Sequence, residues 1–347
     1  MQISWSPILL RLAGSFRTAK ATRLDKKTLW VKVTHLNIVG WGEAAPMDTY
    51  GQTLESAEKA LLAMSGVLSE RPFSSIGESI DRLVEGFGDQ MATVAAVDAA
   101  LHDWAGKQAG VPAFQLLGCQ PTGPFTTSFT IGLDEPQAVV ERVRCAEAYP
   151  ILKLKLGGPN DEEIVARVRE SVPSKTIRVD ANTAWTVDHA LDMLPRLAKY
   201  GVEFVEQPLP AGDIEGLRRL KEAGILPIVA DESCVRPDDV PKVAGCVDGI
   251  NIKLSKCGGI REALKMIRLA RAHGLEVMLG CMIESSLGIS AALQLAPLAD
   301  WLDLDGHLLL AHDPFTGIGG AGGRLTLSNR PGLGVESNDL AESRNSI

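Results

Sequence analysis

The sequence predicts an α/β protein: a (β/α) barrel preceded by an N-terminal α+β unit. Three observations predict it. First, five short apolar runs each carry a charged residue at their end: LKLKLGG (152–158), RVDANTAW (178–185), VEQPL (205–209), VADES (229–233) and NIKLSKCGG (251–259). Second, those charges recur almost evenly. Asp180 lies 25 residues after Lys155, Glu206 26 after Asp180, Asp231 25 after Glu206 and Lys253 22 after Asp231. Such a period accommodates one strand, one helix and two short loops. Third, the pattern changes from helical spacing to strand–helix alternation at Phe125. In a parallel barrel all strand C-termini meet on one face, and that face carries the chemistry. The spacing thus gathers Lys, Asp, Glu, Asp and Lys around one pocket.

The first 45 residues read as strands. Thr28–Val39 (TLWVKVTHLNIV) is rich in β-branched and apolar residues and is followed by a Gly40–Trp41–Gly42 turn. A basic loop, Arg17 to Lys27, separates this strand from the one before it. Helical spacing follows at Leu54, Ala57, Leu61, Met64 and Leu68. A second helix is expected over Ile76–Val84, and a third, alanine-rich one over Met91–Ala109, stopped by Gly110 and Pro112. PTGP at 121–124 marks the domain boundary. Eight strands are then expected near 125–131, 151–156, 176–180, 202–206, 226–230, 249–253, 276–280 and 300–303, with helices such as Glu162–Glu170 and Gly259–His273 between them. GIGGAGGR (317–324) lacks the GK[ST] of a phosphate loop and reads as a return loop. The expected units are residues 1–124, 125–316 and 317–347, the last returning to the first.

Composition narrows the class. At 347 residues the chain allows roughly two domains. Its net charge of −8 argues against a nucleic-acid partner. No apolar run approaches the roughly 20 residues needed to span a bilayer. Six cysteines (119, 145, 234, 246, 257 and 281) form no CxxC pair and read as reduced core thiols of a cytoplasmic protein.

Lys153 and Lys155 are two apart on one strand and share a face, with Leu152, Leu154 and Leu156 on the other. On an edge strand they would be solvated; in a barrel they point inward. Asp180, Glu206 and Asp231 end three consecutive strands. Each alone could cap a helix. Together they repel one another unless a cation binds, and carboxylate oxygen is the ligand Mg²⁺ prefers. Asn182 and Glu232 sit beside these ligands. Lys253 is read as facing the pocket, with a structural salt bridge to Asp231 as the alternative, and Lys256 as a solvated loop lysine. Asp303 and Asp305 share a face on the last strand, where they could hold a substrate ammonium or shape a turn before Gly306. Glu284 could line the pocket or cap a helix. No HxH, HExxH or GxSxG pattern supports a zinc or serine hydrolase.

These residues resemble the enolase superfamily, in its muconate-lactonising subgroup. The KxK, DAN, EQP, DES and NIKxxKxGG motifs all match. GCMIESSLG (280–288) and DLDG (303–306) resemble the dipeptide epimerases. The resemblance implies a modified TIM-type barrel with an N-terminal α+β capping domain. It also implies Mg²⁺ on Asp180, Glu206 and Asp231, catalytic lysines at Lys155 and Lys253, and an ammonium held by Asp303 and Asp305. Lys153 would neutralise the substrate carboxylate and lower the pKa of Lys155. The implied reaction is a two-base 1,1-proton transfer at the C-terminal α-carbon of a dipeptide, L-Ala-D/L-Glu by default. Relatives acting on alanyl-glutamate carry an arginine in the early capping loop; Arg17, Lys20 and Arg23 are the candidates here. Many such barrels form homo-oligomers. The same scaffold also serves muconate cycloisomerases, o-succinylbenzoate synthases and N-acylamino acid racemases, whose substrates leave Asp303 and Asp305 unexplained. A non-catalytic barrel binding a small acid through its metal would leave both lysines unexplained.

Overall fold

The computed structural model describes residues 1–69, 75–121 and 123–338. It opens with an antiparallel sheet in the order β1 (Gln2–Arg17), β2 (Thr22–His35), β3 (Ile38–Ala44). Period-two alternation sends Leu29, Val31 and Val33 of β2 into the core beneath this sheet. The hairpin corrects the expected basic loop. β1 pairs with β2 as far as Arg17↔Thr22, leaving only residues 18–21 as a turn. Backbone pairing does not depend on side-chain charge, and long basic side chains can lay their stems along a ribbon.

Helices α1 (Leu54–Ser69), α2 (Ile76–Gly86) and α3 (Met91–Ala109) cover the sheet. The alanines of α3 permit close approach on both sides, to β3 and to the barrel. Gly40 and Gly42 make the β3 side possible, because a Cβ at either would collide with the carbonyl oxygen of Ala100 or Ala96. The helix ends at Gly110 in the left-handed region, φ 71°. Short α4 (Ala113–Leu116) follows.

The strand expected near 125–131 divides in two. β4 (Phe125–Thr126) leaves the barrel, and β5 (Phe129–Ile131) enters it. The barrel continues through β6 (Ile151–Lys155), β7 (Thr176–Asp180), β8 (Val202–Glu206), β9 (Ile228–Ala230), β10 (Gly249–Lys253), β11 (Glu276–Gly280) and β12 (Trp301–Asp303). These eight strands form one parallel sheet in sequence order. Its edges meet where Ser128 N donates to Leu302 O at 3.1 Å and Leu304 N to Thr127 Oγ1 at 2.7 Å. β9 starts later than expected because Pro227 has no N–H to donate to the ladder, although its carbonyl oxygen accepts from Val205 N at 2.9 Å. Around the outside run α5 (Pro136–Cys145), α6 (Asp161–Ser171), α7 (Val187–Lys199), α8 (Ile214–Ala223) and α9 (Val240–Val243); the one-turn α10 (Leu254–Cys257) is buried against α3, and α11 (Ile260–Ala272) and α12 (Ser286–Leu293) complete the set.

Alternation along each strand positions the site. Leu152 and Leu154, Ile177 and Val179, and Ile250 and Ile252 join the large core formed with the helices. Their neighbours Lys153 and Lys155, Arg178 and Asp180, and Asn251 and Lys253 therefore point inward. Phe204, Val229, Met278 and Trp301 form a separate small apolar cluster.

After the barrel come β13 (Phe315–Thr316), β14 (Arg324–Leu325) and β15 (Glu336–Ser337). The glycine-rich run turns between β13 and β14, which pairs with β4. Leu333 N then donates to Asp103 Oδ1 of α3 at 2.8 Å. Thr122 of the PTGP boundary and residues 339–347 lie outside the described residues. Among the described residues no helix is long and apolar enough to cross a membrane.

Candidate active site

Lys155, Asp180, Glu206, Lys253 and Asp303 end their strands on one rim of the barrel, and Asp231 follows β9 directly. Parallel register sets Lys155 beside Asp180 and Asp180 beside Glu206. Above the rim lies a cavity of about 480 Å³ lined by Lys155, Asp231, Lys253, Asp303 and Asp305 from the barrel. Tyr50, Arg23 and Lys26 line it from the N-terminal unit. The second and sixth of eight strands carry Lys155 and Lys253, so the two lysines come from opposite sides of the ring.

Lys155 Nζ lies 2.5 Å from Asp180 Oδ2, and Lys253 Nζ lies 3.0 Å from Asp231 Oδ2. The salt bridge considered for Lys253 therefore exists, on a residue that also lines the cavity. Lys153 is different. It is 1% exposed, and its Nζ lies 2.5 Å from both Asp303 Oδ2 and Glu206 Oε2 and 3.4 Å from Asp180 Oδ2. It is not among the residues that line the cavity. Its charge goes to three buried carboxylates instead.

Asp303 accepts a short hydrogen bond on each oxygen: Ser128 Oγ donates to Oδ1 at 2.5 Å and Lys153 Nζ to Oδ2 at 2.5 Å. Burial is the largest influence and works to raise its pKa, but the charges of Lys153 and Lys155, with the hydrogen bonds from Lys153 and Ser128, together hold the carboxyl down at about 2. Asp305 accepts from Thr130 N at 2.6 Å on Oδ2, and its Oδ1 faces the weak donor Cys281 Sγ at 3.9 Å. Burial, then the charge of Asp303, pushes Asp305 up to about 6. Of these two carboxylates, Asp305 keeps the more acceptor capacity for a cation in the cavity.

Glu206 is pushed up to about 7, by burial first and the charge of Asp180 second. Asp231 is held well below the usual range because Lys253 and Lys256 outweigh burial. Burial lowers Lys253, yet Asp231 and Glu206 hold it above its ordinary value. Among the described residues no three acidic, histidine or cysteine side chains are grouped at metal-holding positions; each carboxylate is turned towards lysine. The donor chemistry nevertheless fits Mg²⁺. Three carboxylates stand on consecutive strands, and buried Glu206 Oε2 accepts no hydrogen bond, its charged neighbour being the Lys153 ammonium at 2.5 Å. Asn182, at φ 46°, directs its backbone N–H to Asp180 Oδ1 at 2.8 Å.

Four residues here escaped the sequence reading. Asn251 Nδ2 donates to Glu206 Oε1 at 2.7 Å. Its signal was its place two residues before Lys253, on the same inward face. Ser128 and Thr130, again two apart, support Asp303 and Asp305. Lys256, read as solvated, is buried against Asp231. Of the uncertain residues, Glu232 pairs with Lys20 at 2.8 Å, while Glu284 is buried and accepts from Met282 N.

Residues 8–118 match the mandelate racemase/muconate lactonizing enzyme N-terminal domain, and residues 136–341 match the enolase C-terminal domain-like family. An L-Ala-D/L-Glu epimerase of Bacteroides thetaiotaomicron is 39% identical over 338 residues, covering 96% of this chain and 88% of that protein. A hydrophobic dipeptide epimerase of a Flavobacteria bacterium is 40% identical, covering 91% of this chain and 93% of its own. The crystal structure of a dipeptide epimerase from Enterococcus faecalis, complexed with Mg and L-Leu-L-Tyr, superposes with a TM-score of 0.91 at 33% identity, covering 96% of this chain and 99% of that one.

Proposed function

The chain belongs to the mandelate racemase/muconate lactonizing enzyme family of the enolase superfamily, and on that premise we propose that it is a Mg²⁺-dependent dipeptide epimerase. The observation that carries this reading is the pair of lysines from opposite strands of one cavity, with three carboxylates on the arc between them and Asp305 on the other arc. Asp180, Glu206 and Asp231 would hold the Mg²⁺. When bound, it supplies Lewis-acid polarisation of the substrate carboxylate. Asp305, backed by Asp303, takes the substrate ammonium. The C-terminal α-carbon then lies between Lys155 Nζ and Lys253 Nζ. One lysine, neutral, removes the α-proton from its face; the other, charged, delivers a proton to the opposite face, and the centre inverts. Lys153 carries no substrate contact in this scheme and offsets the charge of Asp303, Glu206 and Asp180.

Arg23 and Lys26 on the cavity wall favour an acidic second side chain, with L-Ala-D/L-Glu as the default substrate. The unpaired cysteines are compatible with a reducing cytoplasm. The deciding experiment incubates a dipeptide library with enzyme and Mg²⁺ in D₂O and follows deuterium at the α-carbon by mass spectrometry. Incorporation at the C-terminal residue is expected, with inversion. N-acetylation should lower kcat/KM at least about tenfold, because buried Asp305 loses its counter-charge. Equal turnover of acetylated substrates would make the protein an N-acylamino acid racemase.

A further inference from the structure

Lys256 lies one turn beyond Lys253, in α10, and its side chain is 1% exposed. Its Nζ donates to Asp231 Oδ1 and, at 3.1 Å, to the Asp231 carbonyl oxygen. A lysine buried this completely must be paired, because an isolated ammonium in the interior is costly. Here both contacts go to a single residue. They occupy Asp231 Oδ1 and tie the side chain to its own backbone, so Oδ2 remains to meet Lys253 Nζ at 3.0 Å.

The turn that carries Lys256 is itself held from the N-terminal unit. Gly258 and Gly259 adopt φ 106° and 110°, conformations that L side chains rarely take. A Cβ on Gly259 would collide with the Asp98 carboxylate of α3. That carboxylate accepts from Ile260 N at 2.5 Å, at the start of α11. A chain of contacts thus runs from α3 through the glycine turn to Lys256, Asp231 and Lys253.

We propose that Lys256 is a positioning residue: it fixes the Asp231 carboxylate through Oδ1, and Asp231 Oδ2 in turn aligns Lys253 over the cavity. Lys155 is aligned separately, through Asp180. Loss of Lys256 therefore acts on one face of the α-carbon and spares the other. This inference rests on the two-base reading above.

The test uses the full-length enzyme as Lys256→Gln, which keeps a neutral donor, and Lys256→Met, which keeps only the stem. Lys253→Ala and Lys155→Ala serve as controls. Exchange of the α-proton in D₂O is followed from each diastereomer separately at saturating Mg²⁺. In both Lys256 variants, exchange from the diastereomer whose proton faces Lys253 should fall at least about tenfold, with exchange on the Lys155 side changed less than about threefold. Magnesium binding to the metal-free variants, read by calorimetry, should be as tight as in the wild type or tighter, because a positive charge beside a ligand has been removed. If Lys256→Met fails to fold, Lys256→Gln carries the test alone. Equal loss on both faces, with the two controls still asymmetric, overturns the inference and leaves the two-base reading standing. A loss of magnesium affinity greater than about tenfold also overturns it, since Lys256 would then serve the metal and not Lys253. Controls without asymmetry overturn the two-base reading, and this inference falls with it.

Discussion

At the scale of single residues, Asp305 sets a pH dependence that can be read in two directions. An ionised Asp305 is needed to pair with a dipeptide ammonium, whose own pKa is near 8. With Asp305 pushed up to about 6, kcat/KM should rise through about pH 6. Stability should move the other way. The folded carboxyl holds its proton at a pH where the unfolded one has lost it. Its contribution is therefore fully present below about pH 4 and is lost as pH rises towards 6. Asp305→Asn should consequently raise Tm at pH 8, leave it nearly unchanged at pH 4, and lower kcat/KM at neutral pH by at least about tenfold. A variant as active as the wild type would remove Asp305 from the ammonium site. The lysines give a second residue-scale expectation. Lys155→Ala and Lys253→Ala should each stop epimerisation, and each should retain α-proton exchange for one diastereomer, not the same one. Epimerisation at the wild-type rate in Lys253→Ala would refute the two-base scheme.

At the scale of elements, the join between β3 and α12 depends on Glu43. Its carboxylate accepts from Ser285 N at 3.2 Å, from Gly288 N at 3.3 Å and from Ser285 Oγ, all at the start of α12. A helix N-terminus favours an anion, which offsets part of the cost of burying one. Burial, followed by the charge of Glu284, still pushes Glu43 up to about 7. Glu43→Ala strips these acceptors from buried donors and should cost about 2 kcal/mol, measurable as a lower urea midpoint. An unchanged midpoint would show that water replaces the carboxylate there. The same join carries Met282 and Ile283, which line the cavity just before α12, so KM is expected to rise in this variant as well.

At the scale of the whole molecule, α3 links three parts of the fold. Asp103 Oδ2 accepts from Trp41 N in β3 at 2.8 Å and from Lys107 Nζ at 2.6 Å, while Oδ1 accepts from Leu333 N in the C-terminal segment. The carboxylate is buried, so removing it leaves several groups without a partner. Asp103→Ala should cost about 3 kcal/mol or more. With so many contacts through α3, tryptophan fluorescence and far-UV circular dichroism should report one coincident unfolding transition in the wild type. Separate transitions would show that the sheet-and-helix unit and the barrel unfold independently. Mg²⁺ gives a global readout of the proposed ligands. At about 100 times its dissociation constant it should stabilise the fold by about 2.7 kcal/mol. In Glu206→Gln that gain should be lost. The stability of this variant without metal should match or exceed that of the wild type, because the like charge beside Asp180 is gone.

The order of the strands, their inward faces and the meeting of Lys155, Asp180, Glu206, Asp231 and Lys253 on one rim were legible in the sequence. They follow from local periodicities: two along a strand, and about 25 residues between strand ends. What the sequence could not decide was the partner of each charge. Lys153 and Lys155 have the same signature, yet one is enclosed by three carboxylates and the other faces the cavity. Their depth below the rim differs by two residues of strand, and only barrel closure turns that into a difference in access. Lys256 looks like any loop lysine until Asp98 and two glycines fix the turn that carries it. Arg17 to Lys27 looked like a basic loop because pairing between β1 and β2 depends on register between distant backbones. Asp303 and Asp305 looked equivalent until Ser128 and Lys153 gave Asp303 a strong donor on each oxygen, while Thr130 gave Asp305 one on Oδ2 and left Oδ1 the more open acceptor. Periodicity determines which face a side chain takes. The contacts between distant segments determine whether its charge is spent inside the protein or offered to a ligand.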